Sequence, residues 1–241
     1  MLVDGNEANR KWVLTAASSE YMVGAFDGTK FTPETPKLPG HRGKGFYAAQ
    51  TYSDAPKGRR VQIGWGQMPS PGMPFNQMMC FPCELTLRTT PEGPRLHWAP
   101  VPELEKLRGR RHGVEPGLLA PGENPLATLA GRHFELNAVI RPATASVVGF
   151  VLRGNRIAYD AGRRELTCND VRVPLELRGR PLHLRVLCDE TSLEVFAQDG
   201  LIYAPLPSKL EADNTALAVF AEGGQAEIQS LEVHPLRSIW R

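Results

Sequence analysis

Gly45-Phe46-Tyr47-Ala48-Ala49-Gln50-Thr51-Tyr52-Ser53-Asp54 is followed by Arg60-Val61-Gln62-Ile63-Gly64-Trp65 and then by Phe81-Pro82-Cys83-Glu84-Leu85-Thr86-Leu87. Each run is short and rich in aromatic or β-branched residues, the composition of a strand. Ser53-Asp54-Ala55-Pro56-Lys57-Gly58 separates the first two and is dense in turn formers. Three short β-strands in succession are therefore predicted, with no helical period to compete.

The same rhythm extends in both directions. Lys11 to Ala16 and Glu20 to Phe26 read as strands, with a turn at Asp27-Gly28. Glu84 to Arg88 and Arg95 to Trp98 flank Pro91-Glu92-Gly93 and read as a hairpin. Val101 to Leu107 suits a helical turn or two. Gly109 to Pro125 is rich in Gly, Pro and Arg and is expected to be a linker. Beyond it, period-2 alternation recurs in His133–Ile140, Ser146–Leu152, Leu182–Leu187, Leu193–Ala197, Thr215–Phe220 and Ala226–Val233, with Asp199-Gly200 placed to close a hairpin. Strands spaced about every ten residues, with turns between, predict a β-sandwich. The expected organisation is 1–108, a linker at 109–125, and 126–241.

Composition excludes several classes. The 241 residues are 41% hydrophobic and 22% charged, with 28 basic against 26 acidic side chains, which suits a globular protein. Arg108-Gly109-Arg110-Arg111-His112 is a lone basic cluster without interleaved stacking aromatics, so no nucleic-acid partner is expected. No run approaches the ~20 apolar residues that cross a bilayer, and no membrane partner is expected. Met1-Leu2-Val3-Asp4-Gly5-Asn6-Glu7 lacks a signal-peptide pattern, so a cytoplasmic location is expected for the sequence as written, although a longer parent enzyme is open to secretion.

The motifs taken together resemble glycoside hydrolase family 32, the invertase, levanase and inulinase family. Lys11-Trp12-Val13-Leu14 resembles a fourth-blade strand of that family, and Tyr21 to Gly28 resembles its Tyr-x-x-Gly-x-Phe-Asp-Gly. Phe46-Tyr47-Ala48, Ile63-Gly64-Trp65 and Pro82-x-Glu84-Leu85-Thr86-Leu87 resemble strands of its last blade. Pro100-Val101-x-Glu103-Leu104, with Leu107-Arg108, and Asp189-x-x-Ser192-x-Glu194-Val195-Phe196-x-x-Asp199-Gly200 resemble later family segments. The resemblance implies an all-β fold, a partial five-bladed β-propeller (end of blade four, blade five) followed by a β-sandwich. It also implies hydrolysis of β-fructosidic bonds in sucrose, levan or inulin with retention, by two carboxylates about 5–5.5 Å apart. The family's nucleophile lies in a Trp-Met-Asn-Asp-Pro-Asn-Gly-like segment, its acid/base in a Glu-Cys segment, and an Arg-Asp-Pro segment binds substrate. None of these occurs in the 241 residues, so no catalytic residue is assigned.

Tyr47 and Trp65 are the candidate substrate-binding residues, because the resemblance runs their strands close to the central pocket and aromatic faces suit sugar C–H surfaces. Packing in the blade core is the competing reading. The family often has Asp before Phe-Tyr-Ala, whereas this chain has Gly45. Asp27 and Asp54 sit among turn residues and read as turn formers. Cys80-Phe81-Pro82-Cys83 matches C-x-x-C, but Cys168 and Cys188 supply no matching pair for zinc. The histidines, His41, His97, His112, His133, His183 and His234, show no metal-ligand spacing, and neither metal nor cofactor is expected. The expected partner is a fructose-containing saccharide. An incomplete propeller exposes strand edges, so the alternatives are a non-catalytic carbohydrate-binding or oligomerisation module, forming a homo-oligomer, or one half of a split glycosidase whose upstream half supplies the carboxylates.

Overall fold

The structure is a computed structural model that describes residues 1–209 and 214–239. The described residues form strands and two short 3-10 turns, Pro56–Gly58 and Pro102–Leu107. The chain is all-β. No helix among the described residues is long and apolar enough to cross a membrane. Contacts divide the chain into two compact units: Met1–Glu103 with Asp199–Pro205, and Leu104–Gln198 with Leu206 onward.

The first unit contains β1 (Leu2–Val3), β2 (Asn6–Arg10), β3 (Trp12–Thr15), β4 (Tyr21–Phe26), β5 (Phe31–Pro33), β6 (Phe46–Thr51), β7 (Val61–Gly66), β8 (Met78–Met79), β9 (Cys83–Thr90) and β10 (Gly93–Pro100). One sheet runs β2-β1-β9-β7-β6, with β10 also on β9 and β8 on β7, and a smaller sheet runs β3-β4-β5. Local chemistry sets the turns. The Asp27 carboxylate accepts from the Thr29 and Lys30 amides at 2.8 and 2.7 Å, which closes β4 onto β5. Gly93, at φ +98°, closes β9 onto β10 in the register Thr90↔Gly93 to Cys83↔Pro100. Asp4 ties the start of the chain to β9 through the Thr89 amide at 3.0 Å and hydroxyl at 2.6 Å.

The core of this unit is aromatic. Buried Tyr21 meets Trp98 edge-on at 6.1 Å, Trp98 stacks on Tyr203 at 6.3 Å, and Tyr203 meets Phe46 edge-on at 5.6 Å. Edge-to-face and offset pairs of this kind add to simple area burial. The polar ends are satisfied: Leu96 N donates to Tyr21 Oη at 3.0 Å and Trp98 Nε1 donates to Gln62 Oε1 at 3.2 Å. The segment Asp199–Pro205 belongs here because its backbone bonds to this unit, Trp98 N to Gly200 O and Arg42 N to Tyr203 O.

The second unit contains β11 (His112–Val114), β12 (Gly117–Leu119), β13 (Phe134–Arg141), β14 (Val147–Leu152), β15 (Asn155–Asp160), β16 (Glu165–Cys168), β17 (Val171–Pro174), β18 (Leu182–Cys188) and β19 (Ser192–Ala197). β20 (Ile202–Pro207) has its first residues in the first unit, and β21 (Leu217–Glu222) and β22 (Ala226–Pro235) complete the second. One antiparallel sheet runs β11-β22-β13-β18-β19 with β12 also on β22, and another runs β17-β16-β15-β14-β21. Alternation puts Phe134, Leu136, Ala138 and Ile140 of β13 into the core, with Val148, Phe150 and Leu152 of β14.

The stretch 109–125, expected as a linker, contains two short strands. It holds β11 and β12, which pair with β22 in the registers His112↔Val233 and Gly117↔Ile228. Gly and Pro limit each strand to three residues, while the ten-residue β22 offers an edge long enough for both. The helical turn expected over Val101–Leu107 is the 3-10 turn Pro102–Leu107.

Glu135 is the charged exception in this unit. It is 0% exposed, accepts two hydrogen bonds from Arg108 at 2.7 Å and one from Asn137 Nδ2 at 3.1 Å, and forms an ion pair with Arg185 Nε at 2.7 Å. Burial pushes its carboxyl up, but the Arg108 bonds, the Arg185 charge and Asn137 together hold it below the usual carboxylate range.

Candidate functional site

Tyr47 and Trp65 face each other across β6 and β7, in the register Phe46↔Gly66 and Tyr47↔Trp65. Their rings meet edge-on at 6.5 Å. Both are exposed, Tyr47 by 42% and Trp65 by 37%, so neither is filling the core. Phe46 points the other way, as strand alternation requires, and its ring lies over Gly64. A Cβ on Gly64 would come within 2.2 Å of the Phe46 ring. Buried Phe46 and its packing on glycine thus hold the β6–β7 ladder from below, and the exposed pair sits above it. Past Tyr47 the register shifts, with Ala48 in left-handed backbone at φ +47°. Met79, opposite Trp65 on β8, extends the apolar surface and is also exposed.

Gly45 has a backbone reason. Its φ is +81°, and its carbonyl accepts from Gln67 N at 2.5 Å. Left-handed backbone favours glycine, so the carboxylate that the family often carries here is absent and the turn into β6 is glycine's.

Glu84, Glu103 and Asp27, carboxylates of the same unit, hold structural partners. Glu84 Oε2 accepts from Arg59 Nε at 2.9 Å, and Glu103 takes the two Nη atoms of Arg59 at 2.6 and 3.1 Å. These bonds, Glu103 first, push the Arg59 guanidinium further up. The Asp27 carboxyl is held low by the Lys30 and Thr29 amides that make its turn. Asp54 also lies in a turn, in left-handed backbone at φ +51°.

Cys80, Cys83, Cys168 and Cys188 are free and buried. Among the described residues no group of three or more His, Cys, Asp or Glu is placed to hold a metal ion. Cys83 donates to the Phe81 carbonyl at 3.4 Å. His97 Nδ1 lies 3.0 Å from the Asp199 carbonyl, and burial lowers its pKa, as it does for His41. Burial pushes the Cys168 thiol up to about 12 and the Cys188 thiol up to about 11. Both thiols are therefore expected to react with iodoacetamide at pH 8 at least roughly a hundredfold more slowly in the folded chain than in denaturant. Mass spectrometry of a timed alkylation checks this, and equal labelling of folded and unfolded chain would refute the buried placement.

Sequence reading did not identify the Arg59 and Glu135 clusters. Arg59 and its acceptors Glu84 and Glu103 are far apart along the chain, and only the sheet brings them together.

The same architecture recurs in solved fructosidases. The exo-inulinase from Aspergillus awamori superposes with a TM-score of 0.84 at 21% identity, covering 100% of this chain and 56% of that one. The β-fructofuranosidase from Schwanniomyces occidentalis superposes with a TM-score of 0.80 at 16% identity, covering 99% and 58%. These likenesses place the chain in an all-β class of fold. The model for the glycosyl hydrolases family 32 N-terminal domain matches residues 6–100, and that for the family 32 C-terminal region matches residues 103–235. The chain belongs to glycoside hydrolase family 32. It is 30% identical to a levanase of Bacillus subtilis (strain 168), over 99% of this chain and 42% of that protein. A levanase of Bacillus sp. (strain L7) is also 30% identical, over 99% of this chain and 30% of its own length. The chain thus spans less than half the length of these relatives.

Proposed function

We propose that these 241 residues form the later part of a β-fructosidase: the end of blade four and blade five of a five-bladed propeller, then a β-sandwich. In this reading Tyr47 and Trp65 face a fructose-containing saccharide, and the reacting carboxylates lie outside these residues, on a longer chain or a separate one. The chain alone then binds fructan without cleaving it. The exposed, paired placement of Tyr47 and Trp65 carries this reading, because a core-packing role predicts buried rings instead. The missing Asn-Asp-Pro, Arg-Asp-Pro and Glu-Cys segments support its second half.

Calorimetric titration with inulin oligosaccharides tests the binding. Trp65→Ala is expected to weaken affinity about tenfold, on the order of the 1–2 kcal/mol that an aromatic platform supplies. Unchanged affinity in Trp65→Ala and in Tyr47→Ala would remove these residues from the site.

A second reading has its own support. Trp12 and Leu14 are 55% and 49% exposed on β3, which is an edge strand of its sheet, and Trp12 packs edge-on against exposed Phe26 at 5.1 Å. An apolar, unpaired edge favours association with another polypeptide segment, either a second copy or the upstream half of a split glycosidase.

A further inference from the structure

Three loops of the second unit surround an open cleft of about 400 Å³. They are the loop after β13, the loop between β15 and β16, and the loop between β17 and β18. They bring together Arg141, Arg164, Arg178 and Arg180, with Glu176 as the one carboxylate in the lining. Buried Tyr159 and Leu177 supply apolar surface in the same cleft.

The arginines are held in different ways. Glu176 accepts from Arg164 Nη1 at 2.9 Å and lies 3.5 Å from Arg178 Nε. Arg141 donates to the Gly179 carbonyl at 2.8 Å and sits 3.4 Å from Glu227. Arg180 has no carboxylate within ion-pair distance among the described residues; its backbone amide closes a turn onto Leu177 O at 2.9 Å. Arg178 and Gly179 inside that turn are both left-handed, at φ +52° and +77°, the pattern of a tight primed turn. Positive charge thus exceeds negative charge in the cleft lining, at one hairpin loop (β15–β16) and two loops that join strands of different sheets; loops on a fixed scaffold commonly bind ligands.

We propose that this cleft binds a small molecule through a tetrahedral oxyanion group, a phosphate monoester or a sulfate. Guanidinium forks match such oxygens in pairs of charge-assisted hydrogen bonds. The volume falls in the range of ordinary small-ligand clefts, with room for a sugar-sized body against Tyr159 beside the anion. A neutral fructan gives four arginines no such role. The lining residues all lie in the second unit, whereas Tyr47 and Trp65 lie in the first.

Calorimetric titration of the full chain at low salt, with inorganic phosphate, inorganic sulfate, glucose 6-phosphate and glucose, tests the proposal. Phosphate or sulfate and glucose 6-phosphate are expected to bind, glucose is not, and affinity should fall as salt rises. Tighter binding of glucose 6-phosphate than of sulfate assigns the phosphate source, and the reverse assigns sulfate. Arg164→Gln/Arg180→Gln is expected to weaken binding about tenfold or more, while Arg110→Gln/Arg111→Gln leaves it unchanged. Arg180→Gln alone breaks no described ion pair and serves if the double variant unfolds. Absence of binding, equal weakening by the Arg110/Arg111 control, or binding of glucose as tight as glucose 6-phosphate would overturn the proposal.

Discussion

Glu135→Gln is expected to destabilise the second unit by about 3 kcal/mol or more, the usual cost of breaking a buried ion pair from one side. For a unit of this size that corresponds to a fall of roughly 10 °C in the unfolding midpoint. The cause is asymmetric. Glu135 is fully buried and serves Arg108 and Arg185 together. Removing its charge leaves two guanidiniums facing a neutral amide that donates as well as accepts, so both lose the counter-charge that Glu135 supplies. A cycle with Arg185→Gln should show strong coupling, with the double variant less damaged than the two singles summed. The pH dependence has a defined sign. Because the folded carboxyl sits below its ordinary value, its contribution is fully present above the unfolded value of about 4.3 and is lost as pH falls through the folded value. Acid unfolding of the wild type should therefore be steeper than that of Glu135→Gln. Parallel acid titrations followed by circular dichroism check this; identical curves would mean the cluster carries no net stabilisation.

Gly200→Ala is expected to cost about 3 kcal/mol or more in the first unit, in the range of the most damaging single substitutions. Gly200 has φ +85°, and a Cβ there would lie 1.9 Å from the Trp98 carbonyl oxygen and 2.7 Å from its carbon. The obstacle is backbone, which cannot rotate away. The same approach makes the Trp98 N to Gly200 O hydrogen bond at 3.0 Å, and Trp98 anchors the aromatic core through Tyr21 and Tyr203. Hydrogen exchange at the Trp98 amide reads the effect directly. Faster exchange in Gly200→Ala is expected, and unchanged exchange with an unchanged midpoint would contradict the close packing.

Much of the fold was visible in the sequence where one face is apolar and the other polar. β6, β7, β9, β10, β13, β14, β18, β19 and β22 alternate or carry β-branched runs bounded by turn formers. Asp199-Gly200 was readable as a turn, but why glycine is needed there was not, because Trp98 lies about a hundred residues away in the chain. β11 and β12 escaped notice because three-residue strands in Gly- and Pro-rich sequence have no period to detect; only β22 makes them strands. β20, Ile202 to Pro207, carries two prolines that read against a strand. At the site, Tyr47 and Trp65 were identifiable by residue type, but their exposure depends on Phe46 taking the buried side of the ladder. The Arg59 and Glu135 clusters and the four-arginine cleft are assembled from distant segments and leave no local signal.

Fructose released from levan, inulin and sucrose by the purified chain, before and after heating, tests the account most directly. If the reacting carboxylates lie outside these 241 residues, release from all three substrates stays at the level of the heated control. Release that exceeds it and disappears on heating would contradict the account, and would place both reacting groups within these 241 residues.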